Sequence, residues 1–290
     1  MEDMMQITNA QRAAILVHAL PYIQNYTGKI IVIKYGGSAM LNEELKDSVM
    51  RDIVLLSLIG VRVVLVHGGG TEITEMLKAV GKESRFVDGL RITDKESVDI
   101  VQMVLAGKIN KGLTNLIQNK GGRAMGLSGI DGHMIEARMK DERLGYVGEI
   151  TGIDSRPILD VLEKGYIPVI STIGCDRSGN VYNINADTAA AEIAGSLKAE
   201  SLFLMTDTPG ICGDVDDPST LISEISLQQA STLKEEGIIT GGMIPKVDCC
   251  IAALEGGVEK VFIIDGRIPH ALLIEILTDE GIGTMFIKGD

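Results

Sequence analysis

A chain of 290 residues, 45% of them hydrophobic, is long enough for one large α/β domain or two lobes sharing a core. Its 34 glycines follow no period, which excludes collagen-like and low-complexity chains. A net charge of −13 argues against a nucleic-acid or anionic-membrane surface, while leaving room for a local basic pocket.

The opening "MEDMMQ" is not a signal peptide, and the four cysteines (Cys175, Cys212, Cys249, Cys250) show no C-x-x-C spacing. Reduced thiols in a cytoplasmic protein are expected. Apolar runs stay below the ~18 residues needed to span a bilayer, so no membrane partner is expected.

"NAQRAAILVHALPYIQNY" (9–26) predicts an amphipathic helix with Asn9 as N-cap, Leu16, Leu20 and Ile23 on one side, and a kink at Pro21. "KIIVIKYGG" (29–37) predicts a strand ending in glycines, "NEELKDSVMRDIVLLSLIG" (42–60) a helix, and "VRVVLVH" (61–67) the next strand. Strand–helix–strand without a hairpin turn implies a parallel sheet. "ESRFVDGLRIT" (83–93) predicts a hairpin around Asp88-Gly89, followed by a helix from Asp94 to Asn119 and a strand at Ala124–Leu127. Short strands are expected within 133–152, a helix in "SRPILDVLEKG" and a buried strand in "YIPVIST". Helix 185–199, strand "SLFLMT" (201–206), a helix in "GGMIPKVDCCIAALEGG", strand "VEKVFIID", another helix and strand "GTMFIK" complete the pattern. The expected fold is a three-layer αβα sandwich with a mostly parallel central sheet and two lobes.

Three segments end at the carboxyl side of that sheet, where open parallel sheets bind ligands: Lys34-Tyr35-Gly36-Gly37, His67-Gly68-Gly69-Gly70 and Gly126-Leu127-Ser128-Gly129. One glycine pair at a strand end is an ordinary turn. Two clusters on neighbouring strands, one led by lysine, point to backbone N–H groups that receive an anion. There is neither a G-x-x-x-x-G-K-[ST] loop nor a G-x-G-x-x-G fingerprint, and the G-x-S-x-G elbow that a hydrolase with His-Gly-Gly-Gly needs is missing. The second half adds "VYNINADTAA" (181–190) and "GGMIPKVD" (241–248). Taken singly, Asp187 suits a helix cap and Lys246 a solvated helix position. Together with Lys34 they give two cations and a carboxylate, which suits phosphoryl transfer.

"IKYGGSAM", "VHGGGTEI", "GLRIT", "NINADTAA" and "GGMIPK", in this order along nearly the whole chain, resemble the acetylglutamate kinases of the amino-acid kinase superfamily. The resemblance implies ATP-dependent phosphorylation of the γ-carboxylate of N-acetyl-L-glutamate, in arginine biosynthesis. It implies that Lys34 and Lys246 stabilise the transition state, that Asp187 holds both, and that the Gly37 and Gly69 N–H groups bind phosphoryl or carboxylate oxygens. Substrate would lie on Gly69 and Gly70, with Arg91 on its α-carboxylate and Asn183 nearby, so that ligand fills the space left by side chains at 68–70. Asp207, Thr208, Gly210, Ile211 and Lys246 would bind ATP, with Mg²⁺ carried by the nucleotide and no protein metal ligand. His67 would fix the glycine turn. The domains implied are a helical extension for oligomerisation (1–28), a lobe for acetylglutamate and dimerisation (29–182) and an ATP lobe (183–290). Arginine-inhibited members also share an N-terminal helix and a segment like "LTDEGIGT" (277–284), which implies a trimer of dimers with L-arginine bound near Tyr22, Glu280, Gly281 and Gly283. Another kinase of the superfamily, or a non-catalytic amino-acid sensor, remains the alternative.

Overall fold

The computed structural model describes residues 8–40, 42–215 and 217–289; the opening segment 1–7 lies outside them. Eight strands form the central sheet, in the order Glu224–Ser226, Thr284–Ile287, Lys260–Asp265, Ser201–Thr206, Ile30–Tyr35, Arg62–His67, Ile167–Ser171 and Ala124–Ser128. All neighbours run parallel except Lys260–Asp265 against Thr284–Ile287. The first strand is therefore central, with the first half of the chain extending the sheet on one side and the second half on the other. A four-stranded sheet (Val181–Asn183, Ile173–Cys175, Ile135–Met139, Gly148–Ile153) and the hairpin Phe86–Val87/Leu90–Arg91 are attached to the first half.

Side chains alternate across a strand, so each central strand feeds two cores. Ile31, Ile33 and Tyr35 join Val63, Leu65, Phe203 and Met205 on one face. Val32, Val64, Val66, Leu202 and Leu204 lie on the other, under helices Ala186–Ser196 and Met243–Glu255. The same period sends Lys34 toward these two helices. Ala189, Ala190, Ala191 and Ala194, all buried, let the first of them lie close to the sheet. Among the described residues, no helix is long and apolar enough to cross a membrane.

Several local expectations are corrected. Thr8, not Asn9, caps the first helix, and its side chain accepts from Gln11 N in a capping box. The helical extension breaks at Ala19, giving Asn9–His18 and Leu20–Tyr26; Pro21 falls in the first turn of the second piece, where a missing N–H removes no helix bond. The helix after Asp94 runs as Lys95–Gln102, a π-helical Met103–Ile109 and Asn110–Asn119. The edge strand Glu224–Ser226 and the helix Leu227–Glu235 carry too little apolar pattern to be read from the sequence. In the hairpin, Asp88 (φ 49°) and Gly89 (φ 77°) both take left-handed backbone, the conformation that an Asp-Gly two-residue turn supplies.

Candidate active site

Three charges from distant parts of the chain meet beyond the carboxyl end of the central strand. Lys34 Nζ lies 2.8 Å from Asp187 Oδ1, and Lys246 Nζ lies 2.8 Å from Asp187 Oδ2. Asp187 is not the cap of its helix. Asn185 is, accepting from the N–H groups of Asp187 and Thr188, which leaves the Asp187 carboxylate to the lysines. Burial by itself would push the Asp187 carboxyl up; Lys34 and then Lys246 outweigh it and hold the group down at about 2. The carboxylate is thus charged throughout the neutral range and fixes two ammonium groups side by side.

A cavity of ≈ 220 Å³ lies on the Lys34 side, bounded by Gly37, Gly68–Gly70, Arg91 and Asn183. Arg91 is 6% exposed, donates to Ser84 Oγ (2.5 Å), Gly70 O (2.6 Å) and Thr74 Oγ1 (2.9 Å), and stacks on the Phe86 ring. No acidic side chain among the described residues pairs with it, and desolvation lowers its pKa. A buried guanidinium held only by neutral acceptors is prepared for an anion from outside. Thr93 Oγ1 donates to Arg91 O and accepts from Asn183 Nδ2 at 3.4 Å, which ties the hairpin to the strand carrying Asn183. Thr74 and Ser84, which orient Arg91, carried no signal in the sequence.

Glycine at 69 has a different origin from the one expected. A Cβ there would come within 2.2 Å of Ile109 Cδ1 and 2.8 Å of Leu105 Cδ2, so protein side chains, not ligand, occupy that space. Its N–H group, at the N-cap of helix Gly70–Ala79, is among those left without an intrahelical acceptor. His67 Nδ1 lies 2.9 Å from Gly68 O, in agreement with a role in fixing the turn, and burial holds the imidazole neutral, down to about 4.

On the Lys246 side, a second cavity of ≈ 390 Å³ is lined by Thr206, Thr208, Gly210, Ile211, Ile238, Ile239, Met243 and Lys246. Four of the five residues expected there are present. Asp207 instead faces the opposite turn, its Oδ1 2.5 Å from where a Cβ on Gly37 would stand. Thr208 Oγ1 is buried without a hydrogen-bond partner, a polar atom left for a ligand. Ile238 and Ile239 lie on a loop and Met243 opens its helix, positions at which apolar residues show no period. A wider opening of ≈ 660 Å³ between the hairpin and the two helices exposes Asp187 and Lys246 to solvent.

The residues expected at the effector site lie away from both cavities. Helix Leu20–Tyr26 packs beside helix Ala271–Leu277, and Tyr22 stacks on His18. Glu280 is exposed, Gly281 lies near the Glu275 carboxylate, and Gly283 lies against Ile263 O in the segment leading into the last strand.

The model of the amino acid kinase family matches residues 29–265. The chain is 58% identical to the acetylglutamate kinase of Brachyspira hyodysenteriae, over 98% of its own length and 100% of that protein's. Its fold is similar to N-acetylglutamate synthase from Neisseria gonorrhoeae complexed with coenzyme A and N-acetyl-glutamate (TM-score 0.83, 29% identity, covering 96% of this chain and 64% of that one). A second structure of that synthase, complexed with coenzyme A and L-arginine, gives a TM-score of 0.78 at 28% identity, covering 96% and 65% of the two chains. With two lysines on one buried carboxylate between two cavities, and a relative this similar over its whole length, the chain belongs to the amino acid kinase family, among its acetylglutamate kinases.

Proposed function

We propose that this protein uses ATP to phosphorylate the γ-carboxylate of N-acetyl-L-glutamate, giving N-acetyl-L-glutamyl 5-phosphate and ADP in arginine biosynthesis. The observation that carries this is the Lys34–Asp187–Lys246 chain of ion pairs joining the two cavities. Acetylglutamate occupies the smaller cavity, formed mostly by the first lobe (29–182) and closed by the start of the second, its α-carboxylate on Arg91 and its acyl amino group near Asn183. ATP occupies the other cavity in the second lobe (183–290), on Thr208, Gly210 and Ile211. Asp207, across from Gly37, faces the phosphates. Mg²⁺, brought by the nucleotide and held by its phosphates, would supply neutralisation of phosphate charge, with no protein ligand assigned to it.

The attacking carboxylate is already ionised at neutral pH, its unperturbed pKa being roughly 4.3, so no general base is required. The protein's work is positioning and charge stabilisation. Lys34 and Lys246 meet the charge spreading over the transferring phosphoryl group, Asp187 keeps the two ammonium groups from separating, and the Gly37 and Gly69 N–H groups receive oxygens. ADP formation is measured with N-acetylglutamate, glutamate, aspartate, carbamate and uridylate as acceptors. Turnover is expected with N-acetylglutamate far above the others, and a preference for any other acceptor overturns the assignment.

Feedback inhibition by L-arginine in a cytoplasmic trimer of dimers is the second part of the proposal. It is supported by the exposed apolar Ile15, Leu16, Val17 and Leu20 on the N-terminal helical extension, which needs a covering surface. It is also supported by the packing of helix Leu20–Tyr26 beside the element that leads to Glu280, Gly281 and Gly283. Arginine bound there would favour a lobe arrangement with a less competent site.

A further inference from the structure

Asn110 is fully buried at the end of the π-helical segment Met103–Ile109, and nothing in the chemistry above uses it. Its Nδ2 lies 3.0 Å from Leu127 O, 2.8 Å from Val169 O and 3.2 Å from His67 Nε2. Two carbonyl acceptors identify this atom as the amide nitrogen, whose two hydrogens are shared among three acceptors; having no lone pair to accept a ring N–H, it faces the imidazole as a donor. His67 Nε2 must therefore carry a lone pair, and the proton sits on Nδ1. There it donates to Gly68 O at 2.9 Å. That carbonyl and the Gly69 N–H belong to one planar trans peptide, in which they point in opposite directions. A hydrogen bond that pins the oxygen consequently aims the N–H.

The same π-helical segment holds the turn from its other side, through Leu105 and Ile109 against Gly69 Cα. Local π-helix is costly and recurs at functional sites. Here it sets Leu105 and Ile109 against Gly69, and the next residue, Asn110, against the His67 ring. A Cβ on Gly126 would come within 2.1 Å of Asn110 Oδ1, so the adjacent strand is also shaped around this amide.

We propose that Asn110 is a positioning residue for phosphoryl transfer, which acts through the His67 tautomer to set the orientation of the Gly68–Gly69 peptide and hence the aim of the Gly69 N–H. This rests on the reading of that N–H as an oxygen-binding group in the acetylglutamate kinase reaction. A misaimed donor costs rate more than affinity, because its bond strengthens as charge develops.

The test uses the full chain and two variants, Asn110→Leu, which keeps the volume and removes the donor, and Gly126→Ala, which displaces the amide from outside the site. Both are expected to lower kcat on the order of 10²-fold or less, with KM for ATP within about twofold, since small misplacements of positioned groups cost about that much. The double variant is expected to be no slower than Asn110→Leu, because both changes break one chain of bonds. Imidazole ¹⁵N spectra of the wild-type protein, with His67 assigned through His67→Gln, are expected to show the Nδ1–H tautomer. An Nε2–H tautomer overturns the proposal without reference to activity, and so does a folded Asn110→Leu protein with kcat within threefold of wild type. An Nδ1–H tautomer in a protein that does not phosphorylate N-acetylglutamate overturns the proposed reaction instead.

Discussion

Gly37 and Asp207 face each other across the site: a Cβ on the glycine would stand 2.5 Å from Asp207 Oδ1. Gly37 also has φ +72°, a backbone conformation that costs other residues roughly 1–2 kcal/mol. Gly37→Ala is thus expected to move both the turn after the first strand and the Asp207 side chain. Steady-state kinetics should show kcat reduced on the order of 10²-fold with a modest loss of melting temperature. A kcat near wild type removes the turn from the chemistry.

Lys34→Ala and Lys246→Ala are each expected to lower kcat on the order of 10²–10³-fold, with smaller effects on KM. Asp187→Asn leaves the buried Lys34 ammonium and the half-buried Lys246 ammonium without their shared counter-ion, and is expected to cost stability on the order of 1–3 kcal/mol as well as rate. The Asp187 carboxyl is held at about 2 in the fold, below its unfolded value, so its contribution is present above about pH 4 and lost as pH falls through 2. Acid melts of wild type and Asp187→Asn should converge over that window. Parallel curves from pH 5 to 2 contradict the ion-pair assignment.

Arg91→Ala is expected to raise KM for N-acetylglutamate at least tenfold, with kcat less affected, as when a ground-state carboxylate contact is lost. Arg91→Lys should recover only part, since an ammonium does not present the planar fork. Initial rates over a range of acetylglutamate concentrations decide it, and an unchanged KM moves the α-carboxylate elsewhere.

Asp52 is fully buried in helix Glu43–Leu58, 2.5 Å from His270 Nδ1. Burial pushes its carboxyl up to about 6, and His270 offsets part of this. The fold therefore prefers the protonated acid. Its contribution is full below about pH 4 and is lost as pH rises through about 6. Asp52→Asn, which cannot ionise, is expected to gain melting temperature relative to wild type across pH 4 to 7. A difference that stays flat, or runs the other way, rules out this burial effect.

Deleting residues 1–26 is expected to give active dimers that no longer respond to arginine. Light scattering and kinase assays with and without arginine check both halves. A full-length protein that is dimeric and indifferent to arginine refutes the regulatory proposal and leaves the kinase chemistry untouched.

The Lys34 and His67 strands were legible because continuous β-branched runs ended at glycines, and period 2 places Lys34 on one face. Asp187 and Lys246 were suggested by residue type. The meeting of both lysines on Asp187 depends on two helices, the first of them alanine-lined, lying over the same strands, which no local pattern encodes. Gly69 was read correctly as a position that excludes a side chain, but for the wrong reason: Ile109 and Leu105, some 40 residues away, fill that space. Asn110 was invisible, since one polar residue in a long amphipathic helix has no signature until its acceptors are in place.

The strand order has a consequence for how the chain is made. Ile30–Tyr35 pairs on one side with Arg62–His67 and on the other with Ser201–Thr206. At ~5–20 residues per second, roughly ten seconds of synthesis separate the first partner from the second. Throughout that interval the nascent chain carries "IIVIKY" with one edge unpaired, a template for pairing with other chains. The lysine that the finished site depends on lies within that edge, and it is the one charge that interrupts it.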